Sequence, residues 1–235
     1  MNKLKQRSLT LTLATILAGS AGSAMALDVS MGAKAGTLGY GMDMSIPVSD
    51  KIRLRGGFNQ FSFNYDDSIT SSSTVQGANV SNSATYSTTF NFNTIELLAD
   101  YHPFRSGLRL TGGLMLNNNE FKGTAVAGDQ TIEIGNYQSS QGADLQADVS
   151  VTFPSTAPYL GFGYDSSSYG KKGLSFTYDI GVLFQGEPTA KVELSGADAA
   201  LVPTAEIDAE VANINETLAD FKLYPVANVG LSYYF

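Results

Sequence analysis

The closing stretch Leu223–Phe235, LYPVANVGLSYYF, decides the fold. Counting back from its end, Phe235, Tyr233, Leu231, Val229, Ala227, Pro225 and Leu223 are apolar. The residues between them, Tyr234, Ser232, Gly230, Asn228 and Tyr224, are small, polar or amphipathic, with Val226 the one exception. A two-residue period puts one set on each face of a β-strand. The strand runs to the terminus and stops on an aromatic residue.

Soluble sandwiches alternate as well, so the ending carries the weight. A last strand finishing in Tyr233 and Phe235 resembles the C-terminal signal that outer-membrane barrels present to the barrel assembly machinery. The same period recurs upstream. In Leu38–Val48 the apolar set is Leu38, Tyr40, Met42, Met44, Ile46 and Val48; in 173–185 it is Leu174, Phe176, Tyr178, Ile180, Val182 and Phe184. Opposite the second set stand Ser175, Thr177, Asp179, Gly181, Leu183 and Gln185. A greasy outside around a small and polar inside is what lipid on one face and a wet or ionic lumen on the other require. With no Trp, Tyr and Phe supply the interfacial girdles.

The start of the chain agrees with export. Lys3, Lys5 and Arg7, then an apolar run Leu9–Ala18, then Ala24-Met25-Ala26, read as a signal peptide over residues 1–26. The run is short of the roughly 20 residues of a spanning helix. Residues 27–235 are then the mature barrel, with eleven Lys and Arg against 22 Asp and Glu. That acidity argues against a nucleic-acid partner. Charged residues are 15% of the chain, below the roughly 25% of soluble domains, and Cys is absent. Disulfides, cysteine nucleophiles and thiolate metal sites are excluded.

Parity sets the strand number. Connections are short around Ser49-Asp50, Pro103–Gly107 and Ser166–Lys172, and long at 66–86, 123–155 and 187–221. Barrels of this class keep short turns and both termini in the periplasm, so residues 28–48 must fold back once, at Gly36-Thr37. Eight strands result, near 27–36, 38–48, 51–65, 87–102, 107–122, 156–165, 173–186 and 222–235. The expected fold is all-β: an eight-stranded antiparallel transmembrane β-barrel in the cell outer membrane, with long extracellular loops.

Projected inward, the alternation collects Lys34, Arg53, Arg55 and Arg109 with Asp28, Asp43, Glu96, Asp100, Asp165 and Asp179. An interior this narrow holds side chains or one small ligand, so these groups are expected to pair. Lys34, Asp43, Arg53, Arg55, Glu96, Asp100, Arg109 and Asp179 are the lumen-lining candidates. Phe61, Phe63, Tyr65, Phe90, Phe92 and Phe121 have two placements: a cap over the lumen under strict alternation, or an outward girdle if each strand bulges. In the last long loop, Ile207, Val211, Ile214, Leu218 and Phe221 recur at helical spacing after Pro203. They predict a short amphipathic helix within 203–221 that either packs on the barrel rim or serves as a lid or docking face, its acidic surface suited to cationic solutes or to divalent ions bridging lipopolysaccharide.

An enzyme is not expected. The only histidine, His102, stands beside Pro103 at a periplasmic turn, far from chemistry on the outer leaflet. Asp208 and Glu210 fall on different helix faces, and the glycines of GTLGYG (36–41) and GFG (161–163) lead into no helix that could cradle a phosphate. No metal or other cofactor is expected.

Several stretches, in order, resemble the CarO-type small outer-membrane barrels of gammaproteobacteria: GTLGYG (36–41), NNNEF (117–121), APYLGFGY (157–164), FQGEPTAKVEL (184–194) and PVANVGLSYYF (225–235). The resemblance implies a monomeric eight-stranded barrel without a wide channel. It also implies uptake of ornithine or other small amino acids, the activity linked to that family. Expected partners are outer-membrane lipid, lipopolysaccharide and the assembly machinery. The competing reading is a structural or surface-interaction barrel that transports nothing.

Overall fold

The computed structural model of the chain describes residues 28–75, 78–127, 131–166 and 172–235. The signal peptide expected at 1–26 lies outside them. Eight strands close a barrel: β1 (Ser30–Gly36), β2 (Gly39–Ser49), β3 (Ile52–Val75), β4 (Ala78–Tyr101), β5 (Leu108–Asn117), and later β10 (Thr156–Asp165), β11 (Gly173–Phe184) and β13 (Leu223–Tyr234). They follow one another around the wall in that order, antiparallel throughout, and β13 pairs with β1 to close it. Closure removes the edges that a sheet would otherwise expose.

The register turns the sequence period into two surfaces. Leu231 stands opposite Ala33 on one side and Phe176 on the other, while its neighbour Ser232 stands opposite Gly32 and Ser175. The first row points outward and is bare: Leu174 is 69% exposed, Leu97 66% and Leu160 61%. The second row, with Ser175, Thr177, Asp179 and Ser232, is buried. This is the inverse of a water-soluble barrel.

The first turn lies one residue beyond its expected place, at Thr37-Leu38. Gly39 carries the positive φ of 96°, which a side chain would resist. Thr37 is tied down from both sides: its N–H donates to the Ala227 carbonyl at 3.0 Å, and its carbonyl accepts from the Tyr224 hydroxyl at 2.6 Å.

The three long connections are not simple loops. Residues 66–75 belong to β3 and 78–86 to β4, which run on as 24-residue strands in unbroken register far past the 9–11 that cross a bilayer. The strand expected at 107–122 divides instead. β5 ends at Asn117, and β6 (Glu120–Val126) leaves the barrel to pair with the upper part of β4. The NNN run makes this corner, because Asn118 N–H donates to the Asn93 carbonyl and the Asn119 side chain accepts from Asn93 N–H, each at 2.9 Å. A hairpin of β7 (Glu133–Ile134) and β8 (Tyr137–Gln138) follows, then β9 (Gln146–Thr152), which pairs with β6. After β11, β12 (Thr189–Ser195) pairs with β9.

The wall thus continues outward on one side, with β6, β9 and β12 extending the same sheet. Ala127, Ile132, Ile134, Leu145, Ala147 and Val202 form a core of their own there, with Leu194 and Ile207 packed against it. The helix α1 (Thr204–Leu218) has Pro203 as its N-cap residue, as the periodicity predicts. It lies against β12 and the β7–β8 hairpin rather than on the barrel rim. Its Ile207 packs against the outer core.

Candidate functional site

The inward rows of β1, β2, β3, β4, β5 and β11 bring the eight lumen candidates into one interior. On β3 the inward row runs Arg53, Arg55, Gly57, Asn59, and by register it stands opposite Asp100, Leu98, Glu96 and Thr94 of β4. Lys34 comes from β1, Asp43 from β2, Arg109 from β5 and Asp179 from β11. All eight are buried or nearly so, with side-chain exposures of 10% or less.

Three groups of contacts fill the space. Nearest the termini, Arg53 reaches Asp28 at 3.1 Å and Ser45 at 3.0 Å, and its guanidinium lies 5.1 Å from the centre of the Tyr234 ring. In the centre, Arg55 donates to Asp100 at 3.0 Å and to both oxygens of Asp179 at 3.1 and 3.3 Å. Arg109 donates to Asp179 at 2.8 Å and stands 3.6 Å from Asp165. The Thr111 hydroxyl donates to Asp100 at 2.6 Å, and Asp165 accepts from Ser175 and Tyr234. On the third side, Lys34 bridges Glu96 and, at 3.6 Å, Asp43. Asn59 donates to Glu96 at 3.3 Å and to Thr94 at 3.0 Å. Pairing at these distances is what allows so many charges to leave water. Between Asp43, Arg55, Asp100, Arg109 and Asp165 a cavity of about 20 Å³ remains, room for about one water.

Toward the loop end the interior changes character. Leu38, Leu98, Met115, Ala157, Tyr159, Leu183 and Val226 pack together, none more than 3% exposed. Tyr159 lies across two inward glycines: a Cβ at Gly161 or Gly181 would come within 2.5 Å of its hydroxyl oxygen. Phe92 and Tyr224 close the cluster from above, their rings 5.9 Å apart. Phe121 meets Phe92 at 5.7 Å and Phe90 at 5.3 Å, and Phe153 meets Phe121 at 5.5 Å. Phe92 therefore caps the lumen. Phe61, 6.5 Å from Phe92, and Phe63 share that inward face but stand above the rim, where they are exposed.

The apolar plug is the part of the interior that alternation does not announce. Two signals were nonetheless present: Val226 breaks the period of the last strand, and Leu183 stands among small and polar residues in 173–185. At the other end, Tyr233 and Phe235 are half-exposed with ring centres 5.0 Å apart. His102 is buried in the turn after β4, its Nδ1–H donating to the Ser106 carbonyl at 3.0 Å. Burial holds its pKa below the ordinary value, against the opposing pull of that hydrogen bond. Among the described residues no set of three or more His, Cys, Asp or Glu is arranged to hold a metal ion.

A closed eight-stranded antiparallel barrel with an apolar exterior, an ion-paired interior and a sheet-and-helix unit at one mouth defines a structural class. Its fold is that of the CarO-type small barrels. Acinetobacter baumannii CarO2 aligns over 89% of this chain and 99% of its own, at 19% identity and a TM-score of 0.54. Acinetobacter baumannii CarO aligns over 91% of this chain and 100% of its own, at 24% identity and a TM-score of 0.52. No family model matches the sequence, and no curated protein matches it.

Proposed function

We propose that this chain is a monomeric outer-membrane barrel of low permeability that passes or binds only solutes of small amino-acid size. The bare apolar belt and the likeness of fold to the CarO barrels support the membrane location. One observation carries the functional reading: fixed charges of both signs line a narrow interior that is shut by Tyr159, Leu183, Val226 and Phe92. Entry needs a shift of those side chains, and it favours a solute that can replace an ion pair. A small zwitterion does so, its ammonium taking a place beside a carboxylate and its carboxylate a place beside a guanidinium. The reading assigns the chain no catalytic chemistry.

A structural or surface-interaction barrel is the second reading, favoured by the outer unit having its own core. Proteoliposome swelling separates the two. With purified protein, glycine should enter faster than in empty liposomes and a disaccharide should not. Phe92→Ala, at a partly buried site, should raise the glycine rate several-fold while the barrel keeps its heat-modifiable mobility on a gel. Glycine flux equal to that of empty liposomes for both proteins would overturn solute passage and leave the surface reading.

A further inference from the structure

Above the barrel, the inward face of the outer sheet is not covered everywhere. Between it and the β7–β8 hairpin lies a groove of about 300 Å³, lined by Tyr86, Ala125, Thr131, Ile132 and Glu133. That volume is at the lower end of small-molecule sites. Tyr86 is 39% exposed and is the aromatic surface of the groove. By register it stands opposite Asp67 on β3 and Ala125 on β6. Directly opposed side chains have Cβ atoms roughly 5 Å apart, so a carboxylate flanks the ring on the β3 side and Glu133 stands on the hairpin side.

Among the described residues, the charged side chains placed at this groove are carboxylates. Lys122 and Lys191 of the outer sheet both stand opposite Ser150, in the row that faces the other way. Behind the hairpin turn, α1 adds Glu206 and Glu210, which accept hydrogen bonds from Asn136 N–H at 2.7 Å and Gly135 N–H at 3.2 Å. An anion entering the groove meets Glu133 in its lining, with Glu206 and Glu210 behind the hairpin turn. A neutral apolar solute gains only Tyr86 and Ile132, and it strips water from Glu133 without replacing it. A cation gains the ring face and the field of the carboxylates together.

We propose that this groove binds a small organic ammonium cation. The site is separate from the lumen and does not depend on whether the lumen passes solute. Its occupant needs a compact cationic head with an apolar surface, since aromatic faces reward such a head more than a strongly hydrated metal ion.

The test uses the full barrel in nanodiscs and choline as the probe. Its neutral isostere, 3,3-dimethyl-1-butanol, keeps the shape and removes the charge. Calorimetry or NMR shifts should give millimolar choline binding that weakens as salt rises, with the isostere at least about fivefold weaker. Glu133→Gln and Tyr86→Leu should each weaken choline about three- to fivefold. Glu133 lies on an exposed hairpin, so its variant keeps the fold in either outcome. Equal binding of choline and its isostere, choline binding unchanged by both substitutions, or none below about 50 mM would each overturn the proposal. A failed swelling assay leaves this experiment untouched, so the two readings fail separately.

Discussion

Asp179 is the carboxylate on which the interior turns. It accepts three hydrogen bonds from two guanidiniums, at 3.1 and 3.3 Å from Arg55 and 2.8 Å from Arg109. In Asp179→Asn, Arg55 keeps Asp100 at 3.0 Å. Arg109 keeps only the longer contacts, 3.7 Å to Asp100 and 3.6 Å to Asp165. Removing one partner of a buried pair costs about 3–5 kcal/mol, and this substitution should fall in that range. A count of charges gives the opposite sign. Six inward carboxylates face four cations, so losing one acid improves the balance and, if the interior behaved as a diffuse charge, would stabilise it. Short-range pairing outweighs the count because Coulomb energy falls with distance and the interior screens poorly. The measurement is reversible urea unfolding in lipid vesicles, followed by circular dichroism. Asp28→Asn is the control: Asp28 is 30% exposed and holds only Arg53, so its loss should cost about 1 kcal/mol or less. In the Asp179→Asn background, Arg109→Met should recover part of the loss by removing the stranded cation. A cost below about 1 kcal/mol for Asp179→Asn, or no rescue by the second substitution, would refute local pairing as the organising force.

Three further outcomes follow from the same structure. Leu231→Arg puts a charge on the outward row and should cost about 2–4 kcal/mol in vesicles, and an unchanged unfolding curve would remove Leu231 from the lipid. Gly181→Ala would set a Cβ 2.5 Å from both the Leu160 carbonyl oxygen and the Tyr159 hydroxyl, so about 1–3 kcal/mol should be lost in the same assay; a neutral result would mean that Tyr159 does not lie across this glycine. His102 binds its proton less readily folded than unfolded. Its contribution is therefore complete above the unfolded pKa of about 6.5 and is lost as pH falls below it. His102→Gln should flatten that part of the stability–pH curve, and an unaltered slope would assign it elsewhere.

The barrel was legible because an apolar outside and a polar lumen need opposite chemistry on alternate residues, and eight segments between Ser30 and Tyr234 obey that rule. The inward charges were legible for the same reason, since parity alone carries Arg55, Asp100 and Asp179 to one side of the wall. What alternation does not encode is which inward side chains meet, because strand tilt and stagger decide that. Arg55 finds Asp179 across 124 positions of sequence. The outer sheet was illegible for another reason. Beyond the apolar belt neither face of a strand is uniformly apolar, so the contrast in β6, β9 and β12 is weak, as Thr124, Asp148 and Lys191 among Ala and Val illustrate. The helix stood out because Ile207, Val211, Ile214 and Leu218 keep its period.

The plug and the ion pairs answer one geometric demand in two ways. An eight-stranded barrel has an interior only wide enough for side chains, and an unfilled lumen would leave its charges facing a void. Near the termini, the guanidiniums and carboxylates are long enough to meet across the lumen and satisfy one another. At the loop end the wall is uneven, low at the Thr37-Leu38 turn and tall along β3 and β4, so pairs there would lack partners on the low side. Apolar side chains need no partner, only contact. Leu38 from the low turn, Val226 beside it and Phe92 from the tall wall fill that asymmetric space. The residues that break the alternation therefore sit where the wall is uneven. In a barrel whose interior was ion-paired from end to end, Val226 and Leu183 would have no reason to turn inward.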